Sequence, residues 1–424
     1  MKPLSRLMLL IAAGAALQAP AAGMLPAIAA TPPGSTPAHA NTFDIRREPV
    51  KIHDASDGWA EYPEIAAQET YIALVYSVNE EGEAARSKVY YHLVRREDGT
   101  STGAQPLVGT DENGFRPSVD VQEGGRAYIA WTAYGRSGWS IEACVDESMR
   151  TGSRCRRFRV YGGDGFSSQV RVGCGPGSAW FVWTMWHEGE YSVLARRCAG
   201  RDYRMGEVVT VQQGANPVSR PDIKVLDDDH IVVAWDEYVD GRFAIRAREI
   251  RSGQAGPVQH LSGPEYAYEW GPHLAGSAGD ILVAWQGVPG GERHSWPLAA
   301  GLGGNGVYRG LGNPDDDETW RVRCLEGPGG RNIVAWATRK GYRRTLLYMR
   351  AVYQEGYSRT VKVTFPMRRT FMNWFDCEWD GRLVLTYEFS GSIYLYDVDA
   401  PNFSAPVAPS GADGAGTDLA AGGP

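Results

Sequence analysis

A short apolar phrase recurs along this chain at a nearly constant interval. In its clearest form it reads Ile231-Val232-Val233-Ala234-Trp235, preceded by an extended run from Pro221 to Val225 and a polar turn, Asp227-Asp228-Asp229. Further copies close on Trp131, Trp285 and Trp336, and weaker ones on Tyr76, Trp183 and Tyr387. Successive closing aromatics lie 55, 52, 52, 50, 51 and 51 residues apart. A period of this size means that one supersecondary unit is stacked repeatedly, each copy burying a face against the next.

The unit reads as four strands. In the fourth copy these are residues 222–226, 231–235, 243–249 and 257–261, with Asp240-Gly241-Arg242 turning the second strand into the third. Runs rich in Val, Ile, Tyr and Trp, broken by Gly and Asp, follow the strand pattern, and no segment carries a helical period. Four-stranded units set around an axis form a β-propeller. Seven closing aromatics predict an all-β, seven-bladed propeller over residues 43–402. The seventh unit has only three strands of its own, while residues 43–53 form a strand ahead of the first unit. That strand is expected to complete the seventh blade and cover its open edge.

The termini read differently. Lys2 and Arg6 precede an apolar run over residues 7–17, and Ala-x-Ala sites follow at residues 19–21, 27–29 and 38–40. This is the pattern of a secretory signal peptide, taken as residues 1–29, with 30–42 as a flexible leader. The expected location is the periplasm or the medium, with no membrane insertion once the signal is removed. Residues 403–424, poor in large apolar side chains, read as a disordered tail. The formal charge of −7 becomes −9 when a cut after Ala29 removes Lys2 and Arg6. That argues against nucleic acid as a partner. An exported chain with six cysteines is expected to pair them, and the repeat frame favours Cys144 with Cys155, Cys174 with Cys198, and Cys324 with Cys377.

The phrase Arg220-Pro221-Asp222-Ile223, then Ile231 to Glu237, then Asp240-Gly241 and Ile245, resembles the blade repeat of the sialidase-like (BNR-type) and TolB-like propellers of exported bacterial proteins. The resemblance covers nearly the whole mature chain, without the Ser-x-Asp-x-Gly-x-x-Trp boxes that sialidase propellers carry. It implies two readings. One is a carbohydrate-active propeller that binds, and in the hydrolase or lyase case cleaves, an acidic glycan. The other is a monomeric, non-catalytic scaffold of the TolB kind that holds an envelope protein. In the sialidase-like case it also implies a Tyr nucleophile polarised by Glu, beside an arginine cluster; propeller lyases use His and Tyr as base and acid.

In a propeller the segments entering the first strand and leaving the second converge on one mouth of the central channel. Leaving the second strands are Trp186-His187-Glu188 and Asp236-Glu237-Tyr238. Entering the first strands are Arg116, Arg220, Trp270 with His273, Trp320-Arg321, and Trp374. Aromatic faces stack on sugar rings and guanidinium forks grip carboxylates. Glu188 with Asp236 or Glu237 supplies the two carboxylates of a glycosidase, and Tyr238 the hydroxyl. The remaining residues are the substrate-binding set. Trp270, Trp320, Trp374 and Arg220 serve equally well as packing between blades. No Gly-x-Ser-x-Gly, His-Glu-x-x-His or phosphate-binding loop occurs, and no cofactor is expected. Asp227 to Asp229 reads as turn chemistry. Residues 315–318 (Asp-Asp-Asp-Glu) read as a solvated acidic loop, with calcium the alternative that oxygen ligands would suit.

Overall fold

The computed structural model describes residues 41–42, 49–80, 86–149, 155–200, 202–303, 307–308, 311–312, 318–339, 345–353, 356–358, 360–363, 374–398 and 403. The expected signal peptide, most of the leader and all but one residue of the expected tail lie outside them, as do Asp315 to Asp317. Among the described residues there are seven antiparallel sheets in chain order and, besides strands, two single-turn 3₁₀ segments, Ala55–Asp57 and Pro328–Gly330. No described helix is long and apolar enough to cross a membrane.

Each sheet is a blade. The fourth runs from an inner strand, Val218–Asp227, through His230–Val239 and Arg242–Arg251 to an outer strand split into Gln254–Ala255 and Gln259–His260. The seventh blade takes its inner three strands from Trp374–Trp379, Leu383–Phe389 and Ser392–Val398, and its outermost from Val50–His53. Val50 pairs with Leu395 and His53 with Ile393, so the N-terminal strand closes the ring. Of the expected strand 43–53, Val50–His53 is described as a strand and 43–48 lie outside the described residues; Asn41–Thr42 pairs with Thr100–Ser101 of the first blade.

The second strands are apolar on both faces because each blade is covered on both sides. All seven closing aromatics, Tyr76, Trp131, Trp183, Trp235, Trp285, Trp336 and Tyr387, are fully buried. Between blades, polar side chains clasp the backbone of the next inner strand. Asp120 accepts from the Cys174 amide at 2.7 Å, Asp222 from Leu274 at 2.8 Å, and Asp376 from Ile65 at 3.0 Å across the closure. The turn at Asp227 to Asp229 works the same way. Asp228 accepts from the Gly177 amide and the Ser178 hydroxyl of the third blade, and Asp229 meets Arg197 at 2.5 Å.

The expected disulfides are not formed. All six cysteines are free thiols. Two of the expected pairs nonetheless lie near each other: Cys144 and Cys155 pack in one apolar cluster and Cys174 with Cys198 in the next, while Cys324 and Cys377 pack in different clusters. Burial raises the Cys144 thiol well above its ordinary range, with Cys155 hydrogen-bonded to it. Burial does the same for Cys174 and Cys377. Free thiols pack as small apolar groups, so a shared turn brings them together without requiring a bond.

Candidate functional site

Five of the seven inner strands begin with the same irregularity. The register with the second strand slips between Glu61 and Glu64, Phe115 and Ser118, Ser168 and Arg171, Ser219 and Asp222, and Trp270 and His273. At each slip one residue takes the left-handed conformation: Tyr62 (φ 55°), Arg116 (46°), Gln169 (56°), Arg220 (48°) and Gly271 (67°). A bulge of this kind re-aims a side chain. Left-handed backbone costs an L-residue about 1–2 kcal/mol. Glycine would relieve it, yet only the fifth blade uses glycine. Arg321 and Trp374 hold the corresponding places in the sixth and seventh blades. The mouth is thus ringed, blade by blade, by Tyr62, Arg116, Gln169, Arg220, Gly271, Arg321 and Trp374. At Gly271 an added Cβ would meet nothing within 4 Å, so the ring is open there.

One arc of the ring is a continuous stack of cations and aromatics. The Arg116 guanidinium lies over Tyr62 at 5.0 Å, with Nη2 3.5 Å from the Tyr62 hydroxyl. Tyr62 packs on Trp374 at 4.2 Å, and Arg321 lies over Trp374 at 3.5 Å. Trp320 follows at 5.6 Å from Arg321, with Arg339 over it at 3.4 Å. Burial and the nearby Arg323, Arg220 and Arg116 push the Arg321 guanidinium well below its ordinary range, with Tyr62 opposing. Neither Arg116 nor Arg321 forms an ion pair among the described residues, and Arg321 Nε is buried without a hydrogen-bond partner. Arg220 differs: its Nε donates to Asp236 at 2.5 Å.

Below the ring, the next inward-facing position of each inner strand is polar, and six of these seven side chains form a connected network across the channel. Glu64 pairs with Arg171, which lies 3.9 Å from Asp222. His273 Nδ1 is 3.6 Å from Asp222, and Arg323 donates to His273 Nε2 at 2.5 Å and to Asp376 at 3.0 Å. Because a guanidinium only donates, the imidazole accepts at Nε2 and carries its proton on Nδ1, toward Asp222. Burial, then Arg323, holds His273 well below its usual range. A cavity of about 670 Å³ lies on the side of this network away from the ring: the network residues line it together with the turns at 327–329 and 380–381, and none of the seven ring residues does, so the network is a floor that separates that cavity from the arginines.

The sequence-predicted residues divide accordingly. Arg116, Arg321, Trp320 and Trp374 come together, with Arg220 near enough to act on Arg321 electrostatically. Asp236 is wholly buried and accepts from the Ser219 hydroxyl, Arg220 and, at 3.1 Å, the Gly271 amide. Glu237 is tied to Arg246 at 3.3 Å and Asn216 at 3.2 Å. Both hold the rim together. Glu188 stands on a hairpin turn with its side chain 84% exposed, beside His187. No contact joins it to Asp236 or Glu237 among the described residues. Tyr238 is exposed and packs on Phe243. Trp186 and Trp270 are half-buried on the same face, and His273 belongs to the floor. Tyr62 and Arg339, which the sequence also places on segments facing the mouth, join the cluster although neither was among the expected site residues. Tyr62 had a sequence signal: like Arg116, Arg220 and Gly271, it directly precedes the proline that opens an inner strand.

Next to the open position is a buried acid. Glu269 is wholly buried and accepts from the Trp285 indole at 2.8 Å, while its second oxygen has no partner. Burial lifts its carboxyl to about 7 from an ordinary 4.5. The folded state therefore holds a proton that the unfolded chain releases above pH 4.5. The resulting stabilisation is complete below that pH and is lost as pH rises through 7. Each pH unit between the two values corresponds to about 1.4 kcal/mol, so Glu269 alone is expected to cost about 3 kcal/mol between pH 4.5 and 8. Urea denaturation of Glu269→Gln, which keeps the acceptor for Trp285, should show this part of the pH slope gone. An unchanged slope would place the titration elsewhere.

No known protein family and no curated protein matches the chain by sequence. Solved structures do match its fold. A polysaccharide lyase described as an ulvan lyase superposes with a TM-score of 0.57 at 11% identity, covering 84% of this chain and 97% of its own. The polysaccharide lyase Uly1 superposes with a TM-score of 0.52 at 8% identity, covering 87% and 94%. A sialidase from Trypanosoma rangeli matches with a TM-score of 0.43 at 8% identity, covering 84% and 58%. These neighbours are carbohydrate-active propellers, and at these identities the likeness is one of fold.

Proposed function

We propose that the chain is an acidic-carbohydrate-binding propeller, and that the ring of Arg116, Arg321, Tyr62 and Trp374 holds a carboxylate-bearing sugar. The observation that carries the reading is a pair of guanidiniums that form no ion pair among the described residues: Arg321, half-buried beside Arg323, Arg220 and Arg116, and Arg116, with Glu61 near enough to act on it electrostatically but not paired to it. Folding alone disfavours such a cluster, since burying unpaired charge is costly. An anionic ligand supplies the missing charge, and the stacked aromatics offer faces to a sugar ring. Export to the periplasm or medium fits a polysaccharide ligand.

The chemistry these groups serve best is eliminative cleavage. Two guanidiniums on a uronate carboxylate stabilise the negative charge that develops when the proton on the adjacent ring carbon departs. Tyr62 serves as the base in its deprotonated form. The phenolate oxygen takes that proton and, as the carbon–carbon double bond forms and the bond to the glycosidic oxygen breaks, passes it to the departing oxygen, so that Tyr62 ends as it began. Hydrolysis by a carboxylate pair has less support, because Asp236 and Glu237 are both engaged in rim contacts. The test is a panel of pectate, alginate, hyaluronan, ulvan and a neutral xylan, measured for binding by affinity electrophoresis. Turnover is measured by the ultraviolet absorbance of new unsaturated uronate ends. Retardation by at least one acidic polymer and none by xylan is expected. Equal retardation by xylan, or by no polymer, would overturn the reading.

A further inference from the structure

The ring sits beside a second aromatic surface on the second and third blades. Phe115 immediately precedes Arg116 and lies 5.9 Å from Trp139. Trp139 packs on Tyr134 at 4.8 Å and meets Phe166 edge-on at 4.6 Å. Phe166 is the cross-strand partner of Trp186. These rings come from the inner, second and third strands of blade two and the inner and second strands of blade three. All of them sit at the strand ends that face the mouth.

Packing alone does not explain the surface. The usual duty of a blade aromatic, filling the space between sheets, is already met here by the fully buried Trp131 and Trp183. Tyr134 is 45% exposed, and Trp139, Phe115, Phe166 and Trp186 are each partly open. Among the described residues, four of the five most exposed large apolar side chains, Trp59, Tyr134, Tyr238 and Tyr268, lie on the mouth side. Exposed aromatic surface that adjoins a polar site marks a ligand-binding face. The Tyr134 and Trp139 planes differ by 42°, and those of Trp139 and Phe166 by 81°. Differently tilted faces suit successive units of a twisted polymer better than one flat ligand.

We infer that Tyr134, Trp139 and Phe166 form a second sugar subsite, which takes the units that follow the acidic sugar held at the arginine ring. The ligand is therefore a polymer laid across the mouth toward blades two and three, not a free sugar acid. This rests on the acidic-carbohydrate reading above. Its own content is the dependence on chain length. Stacking on an aromatic face contributes without charge, so this part of the affinity is insensitive to salt, unlike the part due to Arg116 and Arg321.

The experiment uses the full chain and the tightest-binding acidic polymer of the panel, cut to fragments of two and of six units, by isothermal titration. The six-unit fragment is expected to bind at least tenfold more tightly than the two-unit fragment. Tyr134→Ala and Trp139→Ala should remove most of that gain and leave two-unit binding in place. Tyr134 is exposed enough that its variant keeps the fold, which a melting curve checks for both. Equal affinity for the two fragments, or full six-unit affinity in both variants, overturns the second subsite and leaves the arginine site standing. Failure of every acidic polymer to bind overturns the arginine site, and the subsite with it.

Discussion

Deleting residues 41–53 will leave a chain that aggregates, or that unfolds at much lower denaturant than the parent. The deletion strips Val50–His53 from the seventh blade and bares the edge of Ser392–Val398 where Ile393, Tyr394 and Leu395 are paired. It also removes the partly buried Val50 and Ile52, which pack on the cluster joining the first and seventh blades. Ladder hydrogen bonds contribute about 0.5–1.5 kcal/mol each, and a buried branched side chain about 1.5–3 kcal/mol. The sum is on the order of 5 kcal/mol, a large part of the stability of an ordinary domain. An open strand edge is also a template for association. The rest of the seam remains: Arg96 keeps Asp397 at 3.3 Å, and the Ala60 amide keeps the Gly391 carbonyl at 2.9 Å. Urea unfolding followed by light scattering checks both expectations. A monomer with the parent's midpoint would mean that the closing strand contributes nothing to the ring.

Replacing the two unpaired arginines will separate binding from stability. Arg321→Met keeps an unbranched stem against Trp374, and Arg116→Ala removes the guanidinium above Tyr62. Each loses a charge-assisted contact worth about 1.5–3 kcal/mol, so affinity for an acidic polymer should fall tenfold to more than a hundredfold per variant. Stability should hold or rise, because Arg321 is pressed by Arg323, Arg220 and Arg116 and has no carboxylate of its own. Residues kept against the interest of the fold are those that function retains. A contrasting variant, Arg220→Met, leaves the fully buried Asp236 without its guanidinium and should lose several kcal/mol of stability, as breaking a buried pair does. If the Arg321 variant destabilises as strongly as the Arg220 variant, Arg321 is part of the scaffold.

The period of the closing aromatics carried the architecture, because a buried aromatic within every second strand is a packing requirement that no blade can evade. The strand missing from the seventh unit carried the closure for the same reason. The mouth was only partly legible. Position in the repeat named Arg116, Arg321, Trp320 and Trp374, since the segments entering the inner strands gather around the axis. It did not separate partnered from unpartnered charge. Asp236 looked like a free acid, but Ser219, Arg220 and the Gly271 amide consume its lone pairs, and the last of these comes from the next blade. Glu237 was misread in the same way through Arg246. Tyr62 was left out of the site set because its blade begins with a tyrosine where others have arginine; the proline that follows it marks the position as equivalent, and the shared left-handed bulge shows the same in the fold. Cysteine spacing brought the right thiols near one another and said nothing about whether they bond.

The most direct test compares one acidic polymer with its own carboxyl-reduced form. Reduction turns each uronate into a neutral sugar of the same ring, linkage and length, so aromatic stacking is untouched and only the partner of Arg116 and Arg321 is removed. Titration of the parent protein with the tightest polymer of the panel should give binding that weakens at least a hundredfold on reduction. The Arg116→Ala, Arg321→Met double variant should bind the two forms alike. Equal affinity of the parent for the native and the carboxyl-reduced polymer would contradict a carboxylate site at the mouth of the propeller.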